Sequence, residues 1–175
     1  MRLRIATFTA VLAIAALIYA PQANAAGFRV GGTSIVDPDF GDKAHQFSIG
    51  WDSDTMFIEW LGLNSGNTFH VNGDFLFVDG FFGLIGKIPV AVGGKLKVTV
   101  RGDFLVKYGY WFEDAGPGHS IGIGGIVGPG IEFDFGSVAL GFDVDIQFYW
   151  DMWYNVGREP DDAIIAVSYM ASLHF

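Results

Sequence analysis

The sequence predicts an all-β protein: a closed, antiparallel, up-and-down barrel of eight strands that crosses a membrane. Three observations lead there. Apolar residues alternate with small or polar ones along most of the chain. The composition is 51% hydrophobic and 16% aromatic. After the first 25 residues no apolar run approaches the roughly 20 residues of a spanning helix. Alternation with period two marks strands whose two faces meet different environments. A chain this apolar without a spanning helix has either a very large core or alternate residues facing lipid. A closed barrel is the only non-helical structure that satisfies its own backbone in hydrocarbon.

Residues 1–25 read as a signal peptide preceding a single domain, 26–175. Arg2 and Arg4 open it, Ile5 to Ala20 is apolar, and Ala23-Asn24-Ala25 is a small-x-small cleavage site that argues against a retained anchor. Removing it leaves eight basic against nineteen acidic residues, a net charge of −11. That balance argues against nucleic acid as a partner. With no cysteine, neither a disulfide framework nor a thiolate metal site can form.

In chain order, Gly27 to Val36 is a possible first strand, followed by a polar loop from Asp37 to Ala44. His45 to Asp52 alternates, Asp52-Ser53-Asp54 reads as a tight turn, and Thr55 to Asn64 alternates again. Asn64-Ser65-Gly66-Asn67 carries strong turn chemistry. Phe69, Val71, Gly73, Phe75 and Phe77 then share one face, and Val78 to Gly86 reads as either a turn or an apolar connector.

From Val90 to Phe112 the even positions are apolar, aromatic or Gly, and the odd ones include Lys95, Lys97, Arg101, Asp103 and Lys107. A two-residue hairpin at Gly93-Gly94 would turn lysines towards lipid, at roughly 2–4 kcal/mol each at mid-membrane. It is excluded on that ground. The run is either one long strand or two joined by a three-residue turn at Arg101-Gly102-Asp103. Barrels of this kind have even strand numbers with eight the smallest, so either 27–36 or 104–113 is not a separate strand.

Glu113 to His119 is a Gly/Pro-rich loop, and Ile121 to Phe135 alternates around inward glycines. Gly136-Ser137 is a short turn into Val138–Trp150, the cleanest alternation in the chain. A polar loop, Asp151–Asp162, precedes the last strand, Ala163–Phe175. A soluble sandwich would expose a face rich in Lys, Glu and Thr opposite Phe142, Val144, Ile146, Phe148 and Trp150. Here that face is mostly Gly, Ala, Ser, Asp and Gln, which suits the narrow inside of a small barrel.

The last strand, with Tyr169, Leu173 and the terminal Phe175 on one face, resembles the assembly signal of bacterial outer-membrane barrels. The whole chain resembles the small OmpA- and OmpX-type barrels of Gram-negative bacteria. The stretches FHVNGDFLFV, IPVAVGGKLKV, SIGIGGIVGPGIEFDFGSVALGFDVDIQF and IIAVSYMASLHF also resemble a family of small bacterial barrels of unassigned function that includes spirochaete members. The resemblance implies an outer-membrane location, lipid as surroundings, the barrel-assembly machinery as a partner during insertion, and a monomer. It carries no functional residue and implies no cofactor.

Parity aims Asp74, Lys95, Lys97, Arg101, Glu132, Asp134, Asp143 and Asp145 inward. Charges held out of water must pair or be hydrated, so these form either an internal plug or a narrow cation path. Tyr108, Tyr110, Tyr149, Trp150 and Trp153 near strand ends resemble an interfacial aromatic girdle.

His119-Ser120 with Glu132 is the best catalytic candidate, but adjacent strand residues face opposite ways. The His-x-Ser spacing of outer-membrane lipid A deacylases is missing, and no His, Asp and Ser set matches the palmitoyltransferase barrels. His119 reads as a loop residue. His45, His70 and His174 show no metal-ligand spacing. Arg101-Gly102-Asp103 matches the cell-adhesion tripeptide, a match short enough to arise by chance. The expected function is a non-enzymatic outer-membrane protein acting structurally or through external loops on an unidentified surface ligand. A lipid-modifying enzyme and a small-solute pore are the alternatives.

Overall fold

The computed structural model describes residues 25–36, 45–73, 75–90, 93, 95–111, 118–154 and 163–175. They form eight strands: β1 (Ala25–Ile35), β2 (His45–Ile58), β3 (Leu61–Val71), β4 (Phe75–Pro89), β5 (Leu96–Trp111), β6 (Gly118–Asp134), β7 (Ala139–Tyr154) and β8 (Ile164–His174). Each pairs antiparallel with the next, and β8 returns to β1, closing the barrel. The seam runs from Gly27 opposite His174 to Ile35 opposite Ala166. Reciprocal backbone bonds between Ala26 and Phe175, at 2.9 and 3.2 Å, extend it. Residues 1–24 of the expected signal peptide and the Asp37–Ala44 loop lie outside the described residues, and Ala25 is the first residue of β1.

The connections Glu59-Trp60, 90–95 and 135–138 join strands at one end, here the turn end, where β1 begins and β8 finishes. Gly93 (φ 84°) and Gly136 (φ 97°) sit there in a left-handed backbone that a Cβ disfavours. The strand ends that residues 36–44, 72–74, 112–117 and 155–163 join, Ile35, His45, Val71, Phe75, Trp111, Gly118, Tyr154 and Ile164, lie at the opposite, loop end.

Polarity alone accounts for the faces. Leu140, Phe142, Val144, Ile146, Phe148 and Trp150 point outward on β7, as do Val100, Phe104 and Val106 on β5. Among the described residues the exposed Asp, Glu, Lys and Arg are Glu59 and Lys95, both in turns. Such a continuous apolar band far exceeds what soluble monomers expose.

Several expectations change. Asp52-Ser53-Asp54 is not a turn but part of β2, and Asn64–Asn67 lies inside β3. Asp52, Asp54 and Asn64 are buried, pointing into the barrel. Polarity in these strands signals the inside rather than a chain reversal. Val78–Gly86 is the middle of β4, neither turn nor connector. Residues 104–111 belong to a single 16-residue β5, so β1 is the separate strand. Phe75 and Phe77 point inward, opposite to Phe69 and Val71, because the 72–74 connection changes the parity.

Moving one charge to the outer face tests this assignment. Ile146→Arg lowers the unfolding free energy in phospholipid vesicles by about 2–4 kcal/mol. Urea titration reads the change, and an unshifted midpoint would contradict a lipid-facing Ile146.

Candidate functional site

The interior is the site the fold builds. Among the described residues it holds five cationic side chains, Arg29, Lys87, Lys97, Arg101 and Lys107. Nine carboxylates face them: Asp52, Asp54, Asp79, Asp103, Glu132, Asp134, Asp143, Asp145 and Asp151. All but Asp103 and Asp151 fall into three groups along the axis.

Nearest the turn end, Lys87 pairs with Asp54 at 2.9 Å and with Glu132, while Lys97 bridges Glu132 at 3.2 Å and Asp134 at 2.8 Å. Beyond it, Asp145 receives both Arg29 (3.2 Å) and Arg101 (Nε at 2.8 Å). Arg29 also approaches Asp52 (3.5 Å) and Asp143 (3.6 Å). The Phe81 ring lies under both guanidinium groups, 5.8 and 5.1 Å from its centroid, a favourable cation–π arrangement.

The third group is a closed ring of side chains, one from each of seven strands. Lys107 Nζ meets Asp79 at 2.7 Å, and His70 Nε2 meets the same carboxylate at 2.8 Å. His70 Nδ1 contacts Ser48 Oγ at 2.8 Å, which lies 2.9 Å from Thr33 Oγ1. Thr33 bonds Ser168 at 2.7 Å, Gln147 Nε2 donates to Ser168 at 3.0 Å, and Gln147 returns to Lys107 at 3.5 Å. Only β6 contributes nothing. Towards the loop end, Ile35, Phe75, Phe77 and Ala166 pack into an apolar layer across the lumen.

Glycines on β6 make room for acids on β7. A Cβ at Gly128 would stand 2.3 Å from Asp145 Oδ1, one at Gly130 2.1 Å from Asp143 Oδ1, and one at Gly122 2.8 Å from Asp151 Oδ1. A Cβ makes no non-bonded contact this short, so these glycines leave the room in which the carboxylates stand.

Of the residues aimed inward by sequence parity, Lys97, Arg101, Glu132, Asp134, Asp143 and Asp145 lie in these groups. Lys95 does not: it is exposed in the 90–95 turn, past the last strand register. Asp74 lies outside the described residues. Parity could also have supplied Arg29, Asp103 and Lys107, which alternate against lipid-facing neighbours. Asp52 and Asp54 were hidden by their reading as a turn, and Asp79 and Lys87 by the uncertain β4.

Tyr149 does not belong to the girdle. It is buried inside with Lys107 Nζ 4.7 Å from its ring centroid, because it shares parity with Asp145 and Gln147. Trp150 and Trp153 are exposed outside, near Tyr108 and Tyr110 at the loop end. Phe57, Trp60 and Phe135 form a second exposed aromatic set at the turn end. Tyr169, Leu173 and Phe175 all face outward on or just past β8.

No catalytic pair forms at His119-Ser120. His119 is a β6 residue rather than a loop residue, facing outward with Nδ1 2.5 Å from Tyr108 Oη, while Ser120 is fully buried on the opposite face. Ser48, His70 and Asp79 do reproduce the bonding order of a nucleophile–base–acid triad. They are 0%, 0% and 1% exposed, however, beneath the Phe75–Phe77 layer. A nucleophile needs an open face for its substrate, and Ser48 instead abuts Thr33. Arg101 and Asp103 both point inside β5, which removes the Arg101-Gly102-Asp103 tripeptide from any surface.

Fold and interior together define a small eight-stranded barrel of the outer-membrane type, lipid-facing outside and ionically filled within. Solved structures agree. The chain is similar to Neisserial surface protein A, NspA, with 12% identity, 86% of this chain and 93% of that one covered, and a TM-score of 0.56. It is also similar to the N-terminal β-barrel domain of Pseudomonas aeruginosa OprF, with 11% identity, 87% and 98% covered, and a TM-score of 0.59. At such identities the likeness is one of fold. No protein-family model matches the chain, and no curated protein matches it either.

Breaking a buried ion pair leaves its partner uncompensated, at about 3–5 kcal/mol. Arg101→Met lowers the urea stability of the refolded barrel by that order, and adding Asp145→Asn recovers part of the loss. An Arg101→Met barrel as stable as the parent would show that the pair contributes nothing. Replacing His70 by Ala opens the side-chain ring and costs about 1–3 kcal/mol, read in the same titration.

Proposed function

We propose that the protein is an integral component of the bacterial outer membrane, acting without catalysis, through its structure and its external loops. The observation that carries this reading is the filled lumen. The Arg, Lys, His70 and most of the carboxylates inside the barrel are engaged in a buried network, and the strands present a mainly apolar band to lipid. Small barrels have interiors just wide enough to be packed by side chains. Short turns face the periplasm and longer loops the exterior in such proteins, so the loop end would face outward from the cell. The outward-facing Tyr169, Leu173 and Phe175 suit recognition of the last strand by the barrel-assembly machinery, and a complete lipid-facing band suits a monomer.

The connections 37–44, 112–117 and 155–162 carry eight acidic and two basic residues. A partner drawn to them electrostatically carries positive charge. Nothing in this reading requires a cofactor.

Mass spectrometry of lipid A from a deletion strain tests the non-catalytic part: acylation identical to the parent is expected, and a changed acyl pattern would restore the enzyme reading. Planar-bilayer recording of the purified protein should show no discrete conductance steps. Their appearance would make the lumen a pore.

A further inference from the structure

We propose that the turn-end mouth of the barrel binds one divalent transition-metal ion through Asp54, Glu132 and His174, in competition with Lys87. One donor atom from each of the three lies within 4.8 Å of the others, although they come from β2, β6 and β8. All three residues are buried. One imidazole with two carboxylates is a donor set of the zinc type, whereas calcium and magnesium take oxygen donors alone.

Two independent observations point to a ligand. His174 is 7% exposed, and its Nδ1 has no hydrogen-bond partner; the closest acids are Asp54 at 4.0 Å from Nδ1 and Asp52 at 3.8 Å from Nε2. A buried ring nitrogen placed among acids without a hydrogen bond, as Nδ1 is, is poised to donate a lone pair. Secondly, the interior holds four more carboxylates than cations among the described residues. Buried negative charge of that size calls for protons or a counter-cation. Room and entry exist: Asp54, Glu132 and His174 line a cavity of about 240 Å³ that extends to Phe175 and the 136–139 turn.

Lys87 sets the terms. Its ammonium bridges Asp54 and Glu132 and acts as the resident cation. Zinc bonds of 2.0–2.1 Å place tetrahedral donors roughly 3.3 Å apart. The three side chains must therefore close by about an ångström while Lys87 swings into the cavity. Metal and lysine exchange places, so the total positive charge between the two acids rises by one.

The test is calorimetric titration of zinc chloride into the full mature barrel, folded in detergent without a histidine tag. The parent protein is expected to bind one equivalent. His174→Gln and Glu132→Gln each weaken binding at least tenfold, and Lys87→Met strengthens it at least tenfold. Each variant is first checked for the heat-dependent gel shift of a folded barrel, and either Gln variant suffices if the other fails to fold. Absence of binding by the parent overturns the proposal, as does parent-like affinity in a folded Gln variant, which would move the zinc to His45 or His119. Unchanged affinity in Lys87→Met overturns the competition.

Discussion

Closure around a largely polar lumen is the constraint on which this structure rests. A soluble domain places its apolar side chains inside; here the eight strands turn most of them outward, leaving two small apolar clusters within, and the rest of the lumen must be held by groups that dislike being dry. Each such group is tolerated only if its neighbours satisfy it. The ring through Thr33, Ser48, His70, Asp79, Lys107, Gln147 and Ser168 is the most complete answer to that demand. It draws one side chain from each of seven strands, so no strand pair can separate without exposing the bonding of the others. The same bonding accounts for the triad-like order of Ser48, His70 and Asp79 by packing alone. Hydroxyl, imidazole and carboxylate are simply the cheapest way to pass a hydrogen bond across three adjacent strands.

Charge follows the same logic nearer the turn end, with a different solution. Arg29 and Arg101 converge on one carboxylate, Asp145, and share the face of Phe81. Guanidinium groups suit this role because they are planar, weakly hydrated and able to serve two acids at once. The glycines of β6 complete the arrangement by giving up side-chain volume where Asp143 and Asp145 stand. Small and charged residues on neighbouring strands are therefore parts of one packing unit.

The strand faces were legible in the sequence because one rule, lipid outside, acts on every residue locally. Val138–Trp150 and Ala163–Phe175 announced themselves in this way, and the even strand number followed from closure. What misled was the soluble-protein habit of reading Asp, Asn, Ser and Gly as turns. At Asp52, Asp54, Asn64 and Gly66 those residues mark the lumen, and Glu59-Trp60, with little turn chemistry, makes the reversal. The partners inside were less legible still. Arg29 and Asp145 are 116 positions apart and Thr33 and Ser168 are 135, and only the closing β1–β8 pairing brings them together. Tyr149 shows the remaining difficulty: near a strand end, an aromatic suits either girdle or lumen, and only parity separates the two.

Buried ion pairs often add little net stability over an apolar replacement of equal volume, so their retention here requires another reason. Register supplies it. Sliding a strand by one residue exchanges its two faces, and with an apolar lumen both faces of β5 or β7 would be acceptable to lipid. With the present interior, a one-residue slip of β5 would send Arg101 and Lys107 into the hydrocarbon, at roughly 2–4 kcal/mol each near mid-membrane. The loss exceeds what any single pair returns in the native state. The ionic lumen thus acts chiefly against the wrong barrels, those with strands shifted by one, and its excess of acids is the residue of that selection on which a cation can act.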